Sequence, residues 1–323
     1  MSALKSTYRF LVAFAIGLVL SACVEPFDIE GSESFESALV VEATVTNEEK
    51  QQVVRLSRAY PLDSVVPNAE SNAQVKVFDD TGSEFVFEET EPGIYVSTQA
   101  FAARAGIGYR LSITTAEGRL YGSESQMMAE GSEIDKVYPI REANDFGEDG
   151  VTIYLDTQSE GNNSSYFRYE YEETFKIVAP RYVDEDISLV NDQWPDFEYE
   201  LVKRSTDSIC YGNRRSARIV LANTDGQASN KIERFQVKFL NSDDYIISHR
   251  YSILIRQHAQ SLGAYSYYET LRDFSQAENF FSENQPGFLE GNIVAETDRD
   301  EKVIGFFDVS EVTTKRMFFN YMD

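Results

Sequence analysis

The chain has 323 residues, with 29 Lys and Arg against 54 Asp and Glu, a formal net charge of −25 and 42% hydrophobic residues. This hydrophobic fraction excludes a disordered chain, and the length allows about two domains. The acidic excess argues against nucleic acid as a partner, because phosphate binding needs a basic surface. Two cysteines and two histidines exclude a disulfide-based scaffold and leave few residues for a zinc site or a histidine base.

The N-terminal segment has the pattern of an export signal. A positively charged start is followed by an uncharged apolar run from Phe10 to Leu20, which is too short to span a bilayer. The run leads into Leu20-Ser21-Ala22-Cys23, the lipobox pattern in which the signal is cleaved and the cysteine is acylated. We predict a lipoprotein signal peptide over 1–22, followed by acylated Cys23 and an acidic tether over 23–36. The alternative is an ordinary signal peptide with a chance cysteine.

The predicted anchor determines where the protein is expected to reside. Several acyl chains on one residue hold a protein stably at a bilayer. No aspartate directly follows Cys23, so the inner-membrane retention signal is absent. The acidic residues that follow resemble the surface-export signals of Bacteroidota lipoproteins. We therefore predict an outer-membrane, lipid-anchored protein on the cell surface. Acylation would leave Cys210 as a free thiol, for which packing in a buried or half-buried strand is the default expectation.

Residues 37–128 alternate between apolar and polar positions, as strands do. Leu39–Thr46 is the clearest run, and Tyr109, Leu111 and Ile113 alternate in a later one. Turn residues such as Asp79-Asp80-Thr81-Gly82 separate the runs. About seven short strands spaced in this way predict an immunoglobulin-like β-sandwich.

Residues 129–323 predict a second β-rich domain with one helix. The helical spacing of Tyr267, Leu271, Phe274 and Glu278 predicts a helix near 262–281. The predicted strands are Val151–Leu155, Tyr166–Val178, Glu198–Val202, Arg218–Ala222, Arg234–Leu240 and Tyr245–Ile255, with a closing hairpin of Gly291–Glu296 and Val303–Phe307. The fold class predicted for the whole chain is therefore mainly β.

The sequence contains no pattern typical of a catalytic or metal site. It lacks a Gly-x-Ser-x-Gly nucleophile motif. The nine-residue separation of His249 and His258 is not a zinc signature, and packing or surface roles are the expectation. The acidic pairs fall in predicted turns without the spacing of a calcium loop. We predict no catalytic residue, no metal, no cofactor and no enzymatic activity.

Two groups of tyrosines are candidates for a binding surface, because tyrosine combines a broad contact area with a polar tip. The alternative is packing within the core and sheets, where aromatic residues are enriched. The candidates are Tyr166, Tyr169, Tyr171, Tyr265, Tyr267 and Tyr268.

Two short segments resemble the O-glycosylation site of exported Bacteroidota proteins. They are Asp63-Ser64-Val65 and Asp207-Ser208-Ile209, which make Ser64 and Ser208 candidate acceptors.

Several motifs in a fixed order resemble a Bacteroidota lipoprotein family defined by a domain of unknown function, DUF4249. They include Leu39-Val40-Val41-Glu42-Ala43, Gly108-Tyr109-Arg110-Leu111, Gly291-Asn292-Ile293 and Val303-Ile304-Gly305-Phe306-Phe307. The resemblance runs through nearly the whole chain after Cys23. Genes of this family tend to lie beside those of TonB-dependent outer-membrane receptors. The resemblance therefore implies an outer-membrane lipoprotein that works with a transport receptor.

Three functions compete at this point. The leading hypothesis is a non-enzymatic accessory or substrate-binding partner of a TonB-dependent receptor in nutrient uptake. The second is a structural or adhesion lipoprotein, which predicts no receptor dependence. The third is a surface hydrolase of glycan or peptide, which would need a cleft with two facing carboxylates of perturbed pKa.

Overall fold

The computed structural model describes residues 37–60, 68–158, 165–204, 208–226, 231–276, 289–298 and 300–320. Within these ranges the chain is mainly β, which confirms the predicted fold class. The predicted signal peptide, Cys23, the tether and Ser64 lie outside the described residues.

The described elements are mostly short strands, with one α-helix and one 3-10 helix in the part of the chain that the structure describes. The 3-10 helix is Tyr245–Ile247, and helix α1 is Leu262–Gln276. The strands are β1 (Leu39–Thr46), β2 (Val53–Arg58), β3 (Asn68–Ala69), β4 (Gln74–Asp79), β5 (Glu84–Glu91), β6 (Ile94–Ser97), β7 (Gly108–Thr114), β8 (Leu120–Ser123), β9 (Gln126–Met127), β10 (Glu133–Ala143), β11 (Asp149–Gln158), β12 (Tyr166–Val178), β13 (Glu185–Asn191), β14 (Glu198–Lys203), β15 (Ile209–Arg215), β16 (Val220–Asn223), β17 (Phe235–Asn241), β18 (Arg250–Gln260), β19 (Ile293–Ala295), β20 (Val303–Ser310) and β21 (Val312–Asn320).

The first sheet has eleven strands in the order β19-β8-β7-β4-β5-β6-β2-β1-β20, with β3 on β2 and β9 on β7. Its strands bury alternate residues, as the period of two requires. In β1 the inward residues are Leu39, Val41, Ala43 and Val45. They pack with inward residues of β2, β4 and β7 in one hydrophobic core, consistent with the predicted sandwich.

Two strands from late in the chain, β19 and β20, complete this first sheet. β20 pairs in parallel with β1, and β19 pairs with β8, so the predicted closing hairpin is wrong. Asn292 explains the difference: its side-chain amide donates to the carbonyl of Phe307 (2.8 Å) and accepts from the amide of Phe307 (2.7 Å). The Asn292 side chain thus makes the two backbone hydrogen bonds to β20 that a neighbouring strand would make. The predicted boundary between 128 and 129 stays a prediction, although the first sheet includes strands from both sides of it.

Two further sheets enclose a second hydrophobic core. One has the order β10-β11-β17, and the other has β15-β12-β18-β21 with β16 also on β12. The core is filled by inward residues of β11, β12 and β18, among them Leu155, Phe167, Tyr169, Ile253 and Ile255. β12 therefore has one face in the core and an opposite face that is free for other contacts. Residues 37–323 form one compact unit.

Helix α1 lies on β12, β18 and β20. Ser261 caps its start, because the Ser261 hydroxyl oxygen accepts from the amide of Ala264 (3.1 Å). Tyr267 packs on Phe306 with ring centres 5.7 Å apart. The predicted helix is confirmed over 262–276, and its predicted end lies outside the described residues. The strand predicted from Tyr245 begins only at β18, because a 3-10 helix capped by Asp244 precedes it.

Candidate ligand-binding groove and exposed hairpin

The outer face of β12 carries a row of charged side chains. Arg168, Glu170 and Glu172 alternate with core residues along this strand. Arg168 lies opposite His258 of β18, and Glu172 lies opposite Arg215 of β15. Residues directly opposite one another share a face of the sheet. The strand register therefore gathers charged side chains from three strands on one surface.

A local bulge brings another cation to this surface. Tyr169 pairs with Val220, whereas the amide of Ser216 donates to the carbonyl of Tyr171 (2.9 Å). Residues 217–219 therefore stand opposite the single residue Glu170. Bulges redirect side chains and are frequent beside functional sites. This bulge carries exposed Arg218 to the surface above β12.

These elements form a groove of about 560 Å³, and residues after β1 form its other wall. The groove is basic, although the chain as a whole is strongly acidic. Its charged lining residues are the cations Lys50, Arg168, Arg215, Arg218 and Arg256 and the carboxylates Glu48, Glu170 and Glu172. We call this feature the basic groove.

The inner end of the basic groove contains a buried cation and a buried histidine. Arg168 is 9% exposed and His258 is 6% exposed. Nη1 of Arg168 donates to Glu170, and Nε2 of His258 lies 3.6 Å from the same carboxylate. His258 and Arg168 lower the pKa of Glu170 well below its ordinary value, although burial opposes them. Burial, together with the Arg168 cation, lowers the pKa of His258, so its ring is neutral near pH 7.

Helix α1 and β20 lie behind this inner end of the groove. The guanidinium carbon of Arg168 lies 4.6 Å from the ring centre of Tyr268, within cation–π distance. Asp308 is 1% exposed, and it accepts from the Ser310 hydroxyl (2.5 Å) and from Nε2 of Gln260 (3.4 Å). The inner end of the groove is thus held between the first sheet and the five-stranded sheet.

At the rim of the groove, Glu48 is held between two cations. Lys50 lies 2.5 Å from one carboxylate oxygen, and Arg256 lies 2.7 Å from the other. Burial alone would raise the pKa of Glu48, but these cations together lower it. Glu48 and Glu170 are therefore both ionised near pH 7. A hydrolase acid must hold a proton at that pH, so this pair does not fit the two roles of a glycosidase site.

The six candidate tyrosines are mostly packed inside the molecule. Tyr169, Tyr265 and Tyr267 are buried, and Tyr166, Tyr171 and Tyr268 are partly buried. Hydrogen bonds join the Tyr169 hydroxyl to Gln257 (3.0 Å) and Asn223 to the Tyr265 hydroxyl (2.9 Å). Tyr169 and Tyr171 border the basic groove. A binding role for the six residues remains a prediction.

The other candidate residues lie apart from the inner end of the groove. His249 is exposed ahead of β18, so it shares no strand with His258. Cys210 is a free, exposed thiol on β15, and the expectation of a buried or half-buried cysteine is wrong because the edge strand β15 is exposed on both faces. Ser208 is partly buried just before that strand, and its glycosylation remains a prediction.

Strands β13 and β14 form a two-stranded hairpin whose side chains are mostly exposed. Cross-strand pairing joins Ile187 to Leu201 and Leu189 to Tyr199, so these four side chains share one face. They are 67%, 61%, 64% and 68% exposed, respectively. Asp186, paired with Val202, and Ser188, paired with Glu200, lie on the other face. We call the first set the apolar face of the hairpin.

Sequence reasoning missed both the basic groove and the apolar face. The alternation Phe167-Arg168-Tyr169-Glu170-Tyr171-Glu172 does indicate a strand with one charged face, but the opposing cations depend on long-range register. Among the described residues, no group of three or more His, Cys, Asp or Glu side chains could hold a metal ion. The described helices include none with the length and apolar character of a membrane span.

Comparison with known proteins identifies a family for the chain from its sequence. No curated protein matches it. A solved DUF4785 family protein from Legionella pneumophila is 5% identical, with a TM-score of 0.19 over 68% of this chain and 51% of that one. Trypsin-activated alpha-2-macroglobulin from Escherichia coli is 10% identical, with a TM-score of 0.20 over 73% of this chain and 15% of that one. TM-scores this low do not establish a shared fold. The domain of unknown function DUF4249 matches residues 24–316, and the chain therefore belongs to the DUF4249 family.

Proposed function

We propose that this protein is a lipid-anchored outer-membrane accessory of a TonB-dependent receptor, which it helps to capture an extracellular nutrient. The lipobox at Cys23 supports the anchor, and the family match begins at the next residue. The basic groove supports a role in holding a ligand. Docking on a protein partner is supported by the hairpin of β13 and β14.

The apolar face of the hairpin is the observation that carries the proposal. An isolated two-stranded hairpin is marginally stable in water. Large apolar side chains gathered on one exposed face are characteristic of a surface that another molecule covers. Exposed Trp194 packs edge-on against Phe197 beyond β13, with ring centres 5.9 Å apart, and aromatic anchors of this kind dominate protein interfaces. We therefore assign the apolar face to the receptor contact.

The charge of the hairpin favours a protein surface with basic groups around an apolar centre. Residues 185–203 contain six carboxylates and one lysine: Glu185, Asp186, Asp192, Asp196, Glu198, Glu200 and Lys203. Acidic residues at the rim of an interface steer it toward a basic partner. The same charges oppose contact with anionic lipid headgroups.

The lipid anchor is tested by labelling cells with an alkyne analogue of palmitate. We expect the native chain to carry the label and to remain with membranes in high salt. The Cys23→Ser variant should lack the label, and the Cys210→Ser variant should keep it. An unlabelled native chain that salt alone releases from envelopes would contradict the anchor.

Docking is tested by co-purification from the native host in mild detergent. The variant Leu189→Asp/Leu201→Asp places two charges on the apolar face and should lose the receptor. The control Ser188→Asp/Val202→Asp adds the same charge to the opposite face and should retain it. Both variants leave the two hydrophobic cores unchanged, so their thermal midpoints should match that of the native chain.

Three outcomes would contradict the proposal. The receptor could be absent from every preparation, as an adhesion protein would predict. Both double variants could retain it equally. Light scattering could instead show that the native chain is a dimer that only the apolar-face variant dissociates, which would assign the face to a second copy of the chain.

A further inference from the structure

We propose that the basic groove binds a small organic molecule that carries at least two oxyanion groups, carboxylate or phosphate. This inference names the ligand class of the proposed accessory role and rests on that role for its biological meaning. Its physical basis is separate, because it depends on the groove and not on the hairpin.

The balance of charge in the basic groove is opposite to that of the whole chain. Lysine and arginine are outnumbered nearly two to one in the chain as a whole, at 29 against 54 acidic residues. In the basic groove the five cations outnumber the three carboxylates. A cleft with a surplus of one sign of charge concentrates ligands of the opposite sign. An anionic ligand is therefore attracted to the groove, although the net charge of the chain as a whole is negative.

Two side chains at the inner end of the groove have buried polar atoms without partners. Nε of Arg168 and Nδ1 of His258 have no hydrogen-bond partner among the described residues, and Nε2 of His258 faces only the carboxylate of Glu170, 3.6 Å away. Buried polar atoms normally have partners, and exceptions concentrate at functional positions. Both side chains line the groove at this end, since Arg168 and His258 are cross-strand neighbours. An oxyanion seated there would accept from the guanidinium.

Two arginines, which we call the outer cations, line the exposed side of the basic groove. Arg215 and Arg218 are exposed, and no ion pair involving either is found among the described residues. Their planar guanidinium groups match the geometry of carboxylate and phosphate. The strand position of Arg215 is opposite Glu172, four residues along β12 from Arg168. At about 3.3 Å per residue, the backbone positions of Arg168 and Arg215 are about 13 Å apart along the strand direction.

This separation sets the size of the ligand. A single small ion would contact only one end of the groove. A molecule with two separated oxyanion groups contacts both ends, and a volume of about 560 Å³ is in the range of sites for small organic ligands. The groove therefore selects an elongated oligoanion.

Calorimetry on the purified full chain in nonionic detergent tests this inference. The probes are digalacturonate, glucose 1,6-bisphosphate, inorganic phosphate and uncharged maltose. We expect one or both organic dianions to bind, inorganic phosphate to bind at least about tenfold more weakly, and maltose not to bind. The two dianions distinguish a carboxylate ligand from a phosphate ligand. Binding should weaken as salt rises from about 10 to about 100 mM.

Matched variants locate the site. Arg215→Ser/Arg218→Ser removes both outer cations and should weaken dianion binding about tenfold or more. Arg214→Ser/Arg250→Ser removes two arginines that lie over Phe175 and Phe318 instead of lining the groove. This control should change binding less than about twofold. All four positions are exposed, so we expect both variants to fold, with thermal midpoints that match that of the native chain.

The inference is overturned by any of four results. Neither dianion binds, maltose binds as well as they do, inorganic phosphate binds as tightly as they do, or the two double variants weaken binding equally. None of these results depends on a receptor, since the measurement uses the isolated chain. Failure of receptor co-purification with intact dianion binding would refute the proposed partner and leave the ligand class standing.

Discussion

At the scale of single residues, the interior contains an ion pair with a fully buried acid. Glu173 is 0% exposed; its carboxylate accepts from Nζ of Lys238 (2.6 Å) and from the Tyr251 hydroxyl (2.6 Å). Removing one member of a buried pair is costly, because it leaves the other charge desolvated and unpaired.

Glu173→Ala should therefore destabilise the fold by about 3–5 kcal/mol. The control is Glu84→Ala, whose partner Lys76 is also 2.6 Å away but whose pair is exposed. Exposed pairs contribute about 0–1 kcal/mol. Urea unfolding measures the loss in free energy of unfolding for each variant. Equal losses in the two variants would show that burial does not determine how much these ion pairs stabilise the fold.

His258 makes stability depend on pH. Its pKa is lowered in the folded chain by burial and by Arg168, whereas in the unfolded chain it is about 6.5. The unfolded state then binds the additional proton, so stability is lost as pH falls below about 6.5, by at most about 1.4 kcal/mol per pH unit. The lowered pKa of Glu170 also makes stability fall as pH falls. This second effect begins only at pH values near and below the ordinary pKa of a carboxylate.

Urea midpoints at about pH 7.5 and about pH 5.5 isolate the histidine, because few other side chains titrate in that window. The native chain should lose stability between the two values, and His258→Gln should lose less. Exposed His249→Gln should behave like the native chain. Since these are the two histidines of the sequence, an unchanged pH dependence in His258→Gln would rule out this mechanism.

At the scale of elements, local patterns predicted what local forces determine. The alternating run of β1 and the helical spacing of Tyr267 and Leu271 are set by which side chains face the core. The parallel pairing of β20 with β1 was not predicted, because it joins segments more than 250 residues apart. In the exposed hairpin, β14 was predicted as Glu198–Val202 but its partner β13 was not.

The segment before β19 approaches β20 so closely that no room is left for a side chain at Gly291. A Cβ atom there would lie 1.6 Å from the carbonyl oxygen of Gly305, and backbone cannot move aside as a side chain can. Gly291→Ala should destabilise the fold by about 3 kcal/mol or more. Gly118→Ala is the control, since its turn has open space and a positive φ of 82°, and it should cost about 1 kcal/mol. A loss at Gly291 no larger than at Gly118 would contradict this close approach.

At the scale of the whole molecule, the site is harder to predict than the fold. The mainly β class follows from composition and alternation along the chain. The basic groove requires β12, β15 and β18 in one register together with Lys50 from the segment between β1 and β2. Each cation alone resembles any exposed arginine or lysine. Only the tertiary arrangement reveals that they share a surface within an acidic protein.

The net charge of the chain should make its stability depend on salt. A formal charge of −25 repels itself in the compact state, and this repulsion is screened as the Debye length falls from about 30 Å at about 10 mM salt to about 10 Å at about 100 mM. Salt also weakens exposed ion pairs, but each contributes only about 0–1 kcal/mol. The unpaired acidic surplus should dominate, so NaCl should raise the thermal midpoint, by about 2–4 °C for each kcal/mol gained. Choline chloride should raise it equally, because screening does not depend on the cation. A rise with sodium alone would indicate specific cation binding, and a fall with both salts would show that ion pairs outweigh the repulsion.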